Sequence, residues 1–127
     1  MEIAQPGIIL HTQNYPECRA FYKDNFGLEI IFEIEGITCF EFGSAYLMVE
    51  TQQVAKQTQK EMSENPTIIR FNVEDVETAA EELRSKGVEV EIKVFDWGTV
   101  GCFVDPDGNR GEFKDHWNVE ELKAQSV

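Results

Sequence analysis

The apolar and polar positions of this chain follow the same order twice. The segments "PGIILHTQNYPECRAFYKDNFGLEIIFE" (6–33) and "PTIIRFNVEDVETAAEELRSKGVEVEIK" (66–93) each begin with proline and continue with an apolar strand pattern. Each then shows helical spacing, a glycine and a second strand pattern. Because self-similarity of this kind is typical of repeated structural units, the sequence predicts two copies of one folding module.

The helical part of each copy has apolar residues spaced so that they share one side of a helix. These residues are Cys18, Phe21, Tyr22 and Phe26 in the first copy, and Val76, Ala79, Ala80 and Leu83 in the second. Gly27 and Gly87 follow the two helices and are suited to the left-handed conformation that ends a helix.

Three short strand patterns follow each helix, separated by turn-forming residues. They cover 28–34, 38–42 and 45–50 in the first half and 88–94, 99–104 and 109–115 in the second. This order predicts an α+β fold of two βαβββ modules in tandem, paired into a mixed sheet that encloses a cleft.

We expect a single domain spanning residues 1–127. Its predicted parts are module one at about 5–50, a linker at about 51–65, module two at about 66–115 and a C-terminal helix at about 117–125.

The composition narrows the possible partners. The formal charge is −13, from 24 acidic and 11 basic residues, and this field repels nucleic-acid phosphates. No apolar run approaches the roughly 20 residues of a membrane span, and the N-terminal residues lack a secretory pattern. We therefore expect a cytoplasmic protein with neither a nucleic-acid nor a membrane partner.

The three widely spaced cysteines predict no disulfide framework and no zinc site.

Alternation along the strands separates an apolar face from one that mixes polar, aromatic and thioether groups. We expect the mixed face to line the cleft and bind a ligand. Its candidate ligand-binding residues are His11, Tyr46, Met48, Glu50, Arg70, Asn72, Arg110 and Glu112. Phe95 and Trp97, just before the seventh strand, are candidates for aromatic walls at the mouth of the cleft. Lys114 shares this face, and for Glu50, Arg110 and Lys114, near strand ends, simple contact with solvent is the alternative.

The sequence resembles the vicinal oxygen chelate superfamily, which includes glyoxalase I, extradiol dioxygenases and bleomycin-resistance proteins. The resemblance is carried by "ECRAFYKDNFGLEI", "GSAYLMVE", "VEDVETAAEELRSKGVEV" and "GCFVDPDGNRGEF". It implies a metal site with one ligand on each of four strands, at positions occupied here by Gly7, Met48, Ile68 and Glu112. Only Glu112 has the chemistry of a metal ligand.

Two functions follow from this resemblance. The first is a metal-free, cofactor-free protein that binds a small organic molecule, as in the bleomycin-resistance branch. The alternative is a glyoxalase-type lyase or isomerase, or a dioxygenase-like enzyme, with a divalent Ni, Zn or Fe ion relocated to His11, Glu50 and Glu112. Glu112, and after it His11, is the best candidate for a catalytic residue, although the sequence leaves open whether the protein is an enzyme.

Without a metal ion, the Glu112 carboxylate needs another partner, because an isolated charge in a cleft is costly. Arg70 is the expected partner, and Arg110 is the alternative. The resemblance also implies a homodimer, with the cleft formed either within one chain or across two.

Overall fold

The computed structural model describes residues 1–53, 58–115 and 123–124. Two compact units make up the chain: Met1–Asn65 together with Asp105–Asn109, and Pro66–Val104 together with Arg110–Val127. Among the described residues, no helix is long and apolar enough to cross a membrane.

The first unit contains a four-stranded sheet and one helical segment. Its elements are β1 (Gly7–Thr12), α1 (Tyr15–Ala20) with a following π-helical turn (Phe21–Asn25), β2 (Ile30–Ile34), β3 (Ile37–Phe42) and β4 (Ala45–Thr51). The strand order is β1-β4-β3-β2. β1 runs parallel to β4, and the other neighbouring pairs are antiparallel.

The second unit repeats this arrangement. Its elements are β5 (Ile69–Val73), α2 (Val76–Ser85), β6 (Glu91–Phe95), β7 (Gly98–Val104) and β8 (Arg110–Asp115). The strand order is β5-β8-β7-β6, with β5 parallel to β8. The predicted α+β class and the tandem βαβββ order are thus confirmed, whereas the single domain and the enclosed cleft stay predictions.

The core of each unit lies between its helix and one face of its sheet. In the second unit, Val76, Ala80 and Leu83 of α2 are all buried, as are Phe103 and Phe113 on the strands that α2 contacts. These three helical residues belong to the apolar set that the sequence pattern picks out. The spacing therefore identified the buried side of α2 correctly.

The first helix departs from regular α geometry after Ala20, where a π-helical turn spans Phe21–Asn25. Phe21 and Tyr22 are adjacent in sequence and both are buried, with their rings 5.1 Å apart in an edge-on contact. π-helical turns of this kind are short local insertions within an α-helix. The predicted left-handed glycines are confirmed at both helix ends, with φ of 63° at Gly27 and 86° at Gly87.

Several boundaries differ from those predicted. β2 begins at Ile30 and β6 at Glu91, so the residues directly after each helix-ending glycine form connections instead of strand. β5 begins at Ile69, which leaves Ile68 just outside the strand. The predicted linker is described at 51–53 and 58–65: Thr51 still belongs to β4, and a turn lies within 58–65. The predicted C-terminal helix lies mostly outside the described residues.

The turn "DPDGN", Asp105–Asn109, joins β7 to β8 but is grouped with the first unit. The Asp107 Oδ1 atom accepts hydrogen bonds from the backbone N–H groups of Gln13 and Asn14, each at 3.1 Å, and from the Asn14 side-chain amide at 3.2 Å. The Lys60 ammonium donates to the Asp107 carbonyl at 2.6 Å and lies 3.7 Å from its carboxylate. The hydroxyl of Tyr22 donates to Asp105 at 2.7 Å. The turn therefore anchors the start and middle of the first helical segment.

Candidate functional site

An arginine–glutamate ion pair joins the edge strand β5 to its neighbour β8 in the second sheet. Parallel pairing of β5 with β8 sets Arg70 opposite Glu112. The Nε and Nη2 atoms of Arg70 lie 2.7 and 2.6 Å from the same oxygen, Oε1 of Glu112. The Glu112 side chain is 11% exposed and that of Arg70 is 34% exposed. This is the pair that the sequence predicts, and two contacts to one carboxylate oxygen hold the guanidinium in one orientation.

Two exposed aromatic rings stand at the hairpin between β6 and β7. Phe95 and Trp97 stack with their ring centroids 4.9 Å apart and their planes within 5° of parallel. Both rings remain accessible, with Phe95 43% and Trp97 58% exposed. The guanidinium carbon of Arg70 lies 5.8 Å from the centre of the Trp97 ring, within cation–π range. Arg70 therefore connects the ion pair to the aromatic pair.

The strand register shows which other side chains share this face, because residues directly paired across a sheet point to the same side. One row is Arg70, Glu112, Cys102 and Glu91, and the next is Asn72, Lys114, Val100 and Lys93. Arg110 precedes Glu112 by two positions and lies on the same side. We call this surface, opposite α2, the open face of the second sheet.

The sequence predictions covered only part of this face. They included Arg70, Asn72, Phe95, Trp97, Arg110 and Glu112 as ligand-binding residues and placed Lys114 on the same face, but omitted Glu91, Lys93 and Cys102. Strand alternation in β6 and β7, which carry the three omitted residues, was the signal that could have identified them. The ligand-binding role of the predicted residues stays a prediction.

Cys102 lies beside the glutamate and is held as a thiol. Burial raises the pKa of Cys102 above its ordinary value. The nearby charge of Lys93 lowers the Cys102 pKa, while the carboxylates of Glu112 and Glu91 raise it further. A thiol whose pKa is raised is a poor nucleophile at neutral pH. The raised pKa of Cys102 therefore gives no support to thiolate chemistry at this position.

The remaining candidates lie on the sheet of the first unit. His11 is paired with Glu50 across β1 and β4, and its Nε2 atom is 3.9 Å from Oε2 of Glu50. Tyr46 is paired with Gly7, and Met48 with Ile9, on the same side of the sheet. The structure therefore brings His11, Tyr46, Met48 and Glu50 together on one sheet and the other six candidates together on the other.

The comparisons with known proteins identify the family of this chain. Residues 5–113 match the family described as the Glyoxalase/Bleomycin resistance protein/Dioxygenase superfamily. The chain belongs to this superfamily. This agrees with the resemblance seen in the sequence.

The relatives span nearly the same length as this chain. The uncharacterized protein YraH of Bacillus subtilis is 32% identical over 115 residues, which cover 80% of this chain and 90% of YraH. The crystal structure of lactoylglutathione lyase from Agrobacterium tumefaciens is similar, with a TM-score of 0.72 and 20% identity over 90% of this chain and 94% of the lyase. A glyoxalase-related enzyme from Fulvimarina pelagi has a TM-score of 0.70 and 18% identity over 87% and 86% of the two chains. At these identities the two solved structures share the fold only.

The residues at the four positions that the superfamily uses for a metal ion do not fit a metal. A Cβ atom at Gly7 would lie 2.0 Å from the ring of Tyr46, so this ring fills the space that a ligand side chain needs. Met48 and Ile68 carry no oxygen or nitrogen donor, and Glu112 is paired with the Arg70 cation.

Among the described residues of either unit, no other donor set replaces these positions. Within each unit, the described residues contain no group of three or more His, Cys, Asp or Glu side chains placed to hold a metal ion. The relocated set divides between the units, with His11 and Glu50 in the first and Glu112 in the second.

Proposed function

We propose that this superfamily member binds a small organic molecule on the open face of the second sheet without a bound metal ion. The observation that carries the proposal is the position of the Arg70 guanidinium, which contacts Glu112 and lies 5.8 Å from the centre of the Trp97 ring. Small-molecule sites typically combine apolar and aromatic surface with a few fixed polar groups. This face has that composition.

The contacts of Glu112 favour binding over proton transfer. Its Oε1 atom accepts both contacts from Arg70, so this oxygen acts as an anchor for the guanidinium. A general base needs an oxygen within hydrogen-bond reach of the substrate proton. In the proposed role, the carboxylate holds Arg70 in place, and Arg70 and the two aromatic rings contact the ligand.

The alternative function, a lyase or isomerase with a relocated metal ion, is favoured by one observation in the first unit. His11 Nε2 lies 3.9 Å from Glu50 Oε2, which brings an imidazole and a carboxylate together on neighbouring strands. Both groups are ligand types for divalent Ni, Zn and Fe. Two donors hold such an ion weakly, and a functional site requires at least one more.

Ligand binding is tested with 2-naphthoate and 2-naphthamide, two flat probes, added to chelator-treated protein. We expect at least one probe to bind, and Trp97→Ala to weaken that binding about 3- to 10-fold, because ring stacking contributes roughly 0.5–1.5 kcal/mol. Titration calorimetry gives the affinities. Val94→Ala is the control. Val94 is 78% exposed and lies on β6 with its side chain on the opposite side from that of Phe95, so its truncation should leave the affinity unchanged.

Equal loss of affinity in the Trp97→Ala and Val94→Ala variants would show that binding does not use this face. Retention of full affinity by Trp97→Ala would have the same consequence.

Metal titration separates the two functions. We expect Ni²⁺, Zn²⁺ and Fe²⁺ to show no stoichiometric binding that depends on Glu112, because Arg70 already neutralises this carboxylate. Calorimetry on the metal-free protein, with Glu112→Gln and His11→Ala as comparison variants, measures the stoichiometry. One equivalent of metal bound by the parent protein and lost in both variants would establish the relocated site and contradict the metal-free proposal.

A further inference from the structure

The Glu112 carboxylate uses only one of its two oxygens to hold Arg70. The Nε and Nη2 atoms of Arg70 lie 2.7 and 2.6 Å from Oε1 of Glu112. In a bidentate arginine–carboxylate pair, two nitrogens contact two different oxygens. The arrangement seen here differs, because both nitrogens contact Oε1. It therefore leaves the second oxygen, Oε2, outside the ion pair.

The Oε2 atom of Glu112 is in contact with solvent. Within the ranges that the structure describes, no residue donates a hydrogen bond to it. It is also not among the buried side-chain atoms that lack a partner there, so it is not enclosed by protein. The 11% exposure of the Glu112 side chain agrees with this. An ionised carboxylate has about four lone-pair sites, and Oε2 therefore retains the capacity to accept a hydrogen bond from a ligand.

The neighbour of Glu112 on β7 offers this oxygen only a weak donor. Cys102 is paired with Glu112 in the strand register. Burial raises the pKa of Cys102, so the side chain is a neutral thiol. A thiol S–H is a weak hydrogen-bond donor compared with an amide N–H or a hydroxyl. When a ligand displaces water from this part of the face, the donor that satisfies Oε2 has to come from the ligand.

The exposed aromatic pair is close to this oxygen. The Arg70 guanidinium contacts Oε1 of Glu112, and its carbon lies 5.8 Å from the centre of the Trp97 ring. The Trp97 side chain is 58% exposed and stacks on Phe95. One guanidinium group thus separates the carboxylate from the indole. A flat molecule of two fused rings that lies against Trp97 and extends toward Glu112 covers Oε2 and removes its water.

Resting on the proposed function, we infer that the ligand of the open face is a planar aromatic molecule with an N–H or O–H donor on its edge, and that this donor binds Oε2 of Glu112. Lactams, aromatic amides and phenols belong to this class. A ligand without a donor leaves a charged acceptor unsatisfied once water is displaced, and the site therefore selects against it. A carboxylate on this edge of the ring is disfavoured as well, because it meets the like charge of Glu112.

The inference is tested with 2-quinolinone and coumarin, two planar molecules of nearly the same shape. Quinolinone has a ring N–H beside its carbonyl group, and coumarin has an oxygen atom at the same position. We expect 2-quinolinone to bind the full chain about 10- to 100-fold more tightly than coumarin, which is the range for a hydrogen bond to a charged group. Titration calorimetry gives both affinities.

Two matched substitutions locate the acceptor. Glu112→Gln replaces the charged acceptor with a neutral amide and should lower the ratio of quinolinone to coumarin affinity by about 5-fold or more, the difference between charged and neutral hydrogen bonds. Glu91→Gln makes the same change in the same ladder row, where Glu91 is exposed on the edge strand β6. It should leave the ratio unchanged. If loss of the ion pair with Arg70 prevents Glu112→Gln from folding, the ratios in the parent protein and in Glu91→Gln decide the question.

Each outcome has a distinct meaning. A preference for 2-quinolinone that Glu112→Gln lowers and Glu91→Gln does not supports the inference. A preference that persists in Glu112→Gln, or that Glu91→Gln abolishes, overturns it. Equal affinity for the two probes, weakened for both by Trp97→Ala, also overturns it and leaves the proposed binding function intact. If neither probe binds at millimolar concentration, the proposed function fails, and this inference fails with it.

Discussion

Replacing Asp107 with alanine is expected to lower the free energy of unfolding by about 3–5 kcal/mol, the range for breaking a buried ion pair at one partner. The Asp107 side chain is fully buried and accepts three hydrogen bonds through Oδ1, two of them from backbone N–H groups ahead of α1. Alanine removes the acceptor of the Gln13 and Asn14 backbone N–H groups and the carboxylate 3.7 Å from the Lys60 ammonium. Urea unfolding followed by circular dichroism measures the loss.

Asp107→Asn is the control for this substitution. It keeps an oxygen that can accept the same hydrogen bonds and removes only the charge beside Lys60, so its cost should be nearer 1 kcal/mol. A cost below about 1 kcal/mol for Asp107→Ala would mean that the turn does not anchor the first unit.

The second large effect is expected at Gly108, in the same turn. Gly108 has a φ of 84°, and a Cβ atom there would lie 2.0 Å from the backbone oxygen of Thr58 and 2.6 Å from the backbone nitrogen of Gln59. Because backbone cannot rotate away as a side chain can, Gly108→Ala must displace this segment. Displacement also weakens the hydrogen bond from the Lys60 N–H to the Gly108 carbonyl. We expect a loss of about 3 kcal/mol or more from backbone strain and overpacking together.

Gly87→Ala is a closely matched control for Gly108→Ala. Gly87 has nearly the same backbone conformation, with a φ of 86°, but a Cβ atom added there would meet no heavy atom of the other described residues within 4 Å, its chain neighbours aside. Its substitution therefore measures the cost of the left-handed conformation alone, about 1–2 kcal/mol. Thermal and urea unfolding of both variants gives the difference, which reports the contact with Thr58. Equal losses in the two variants would contradict the steric explanation.

The Arg70–Glu112 ion pair could be predicted because two sequence patterns, the module repeat and strand alternation, both indicated it. The module repeat placed Arg70 on the first strand and Glu112 on the last strand of the second module, and alternation placed both on the mixed face. The resemblance identified Glu112 as the remaining ligand-type residue, and the absence of other donors in the set pointed to an arginine partner. The structure adds the contact itself, with Arg70 Nη2 2.6 Å from Glu112 Oε1.

The exposure of the Trp97 side chain was harder to predict, because an aromatic residue near a strand can be either buried or exposed. Its exposure and its stacking on Phe95 depend on how the hairpin between β6 and β7 turns. The same applies to Lys114, whose long side chain reaches toward Gly98 on the neighbouring strand. Side chains of this length can follow several directions, and only packing selects one.

The sequence by itself determined the repeated βαβββ order, the buried side of α2 and the two helix-ending glycines. Those features depend on short-range rules, namely the period of a helix or strand and the conformational freedom of glycine. Only the tertiary structure decided where the "DPDGN" turn makes its contacts. Local propensity predicts that these residues turn, but the partners of Asp107, which include Gln13, Asn14 and Lys60, are distant in sequence. The hydrogen-bond donors of a buried carboxylate are set by the tertiary structure, so the residues next to it in sequence do not predict them.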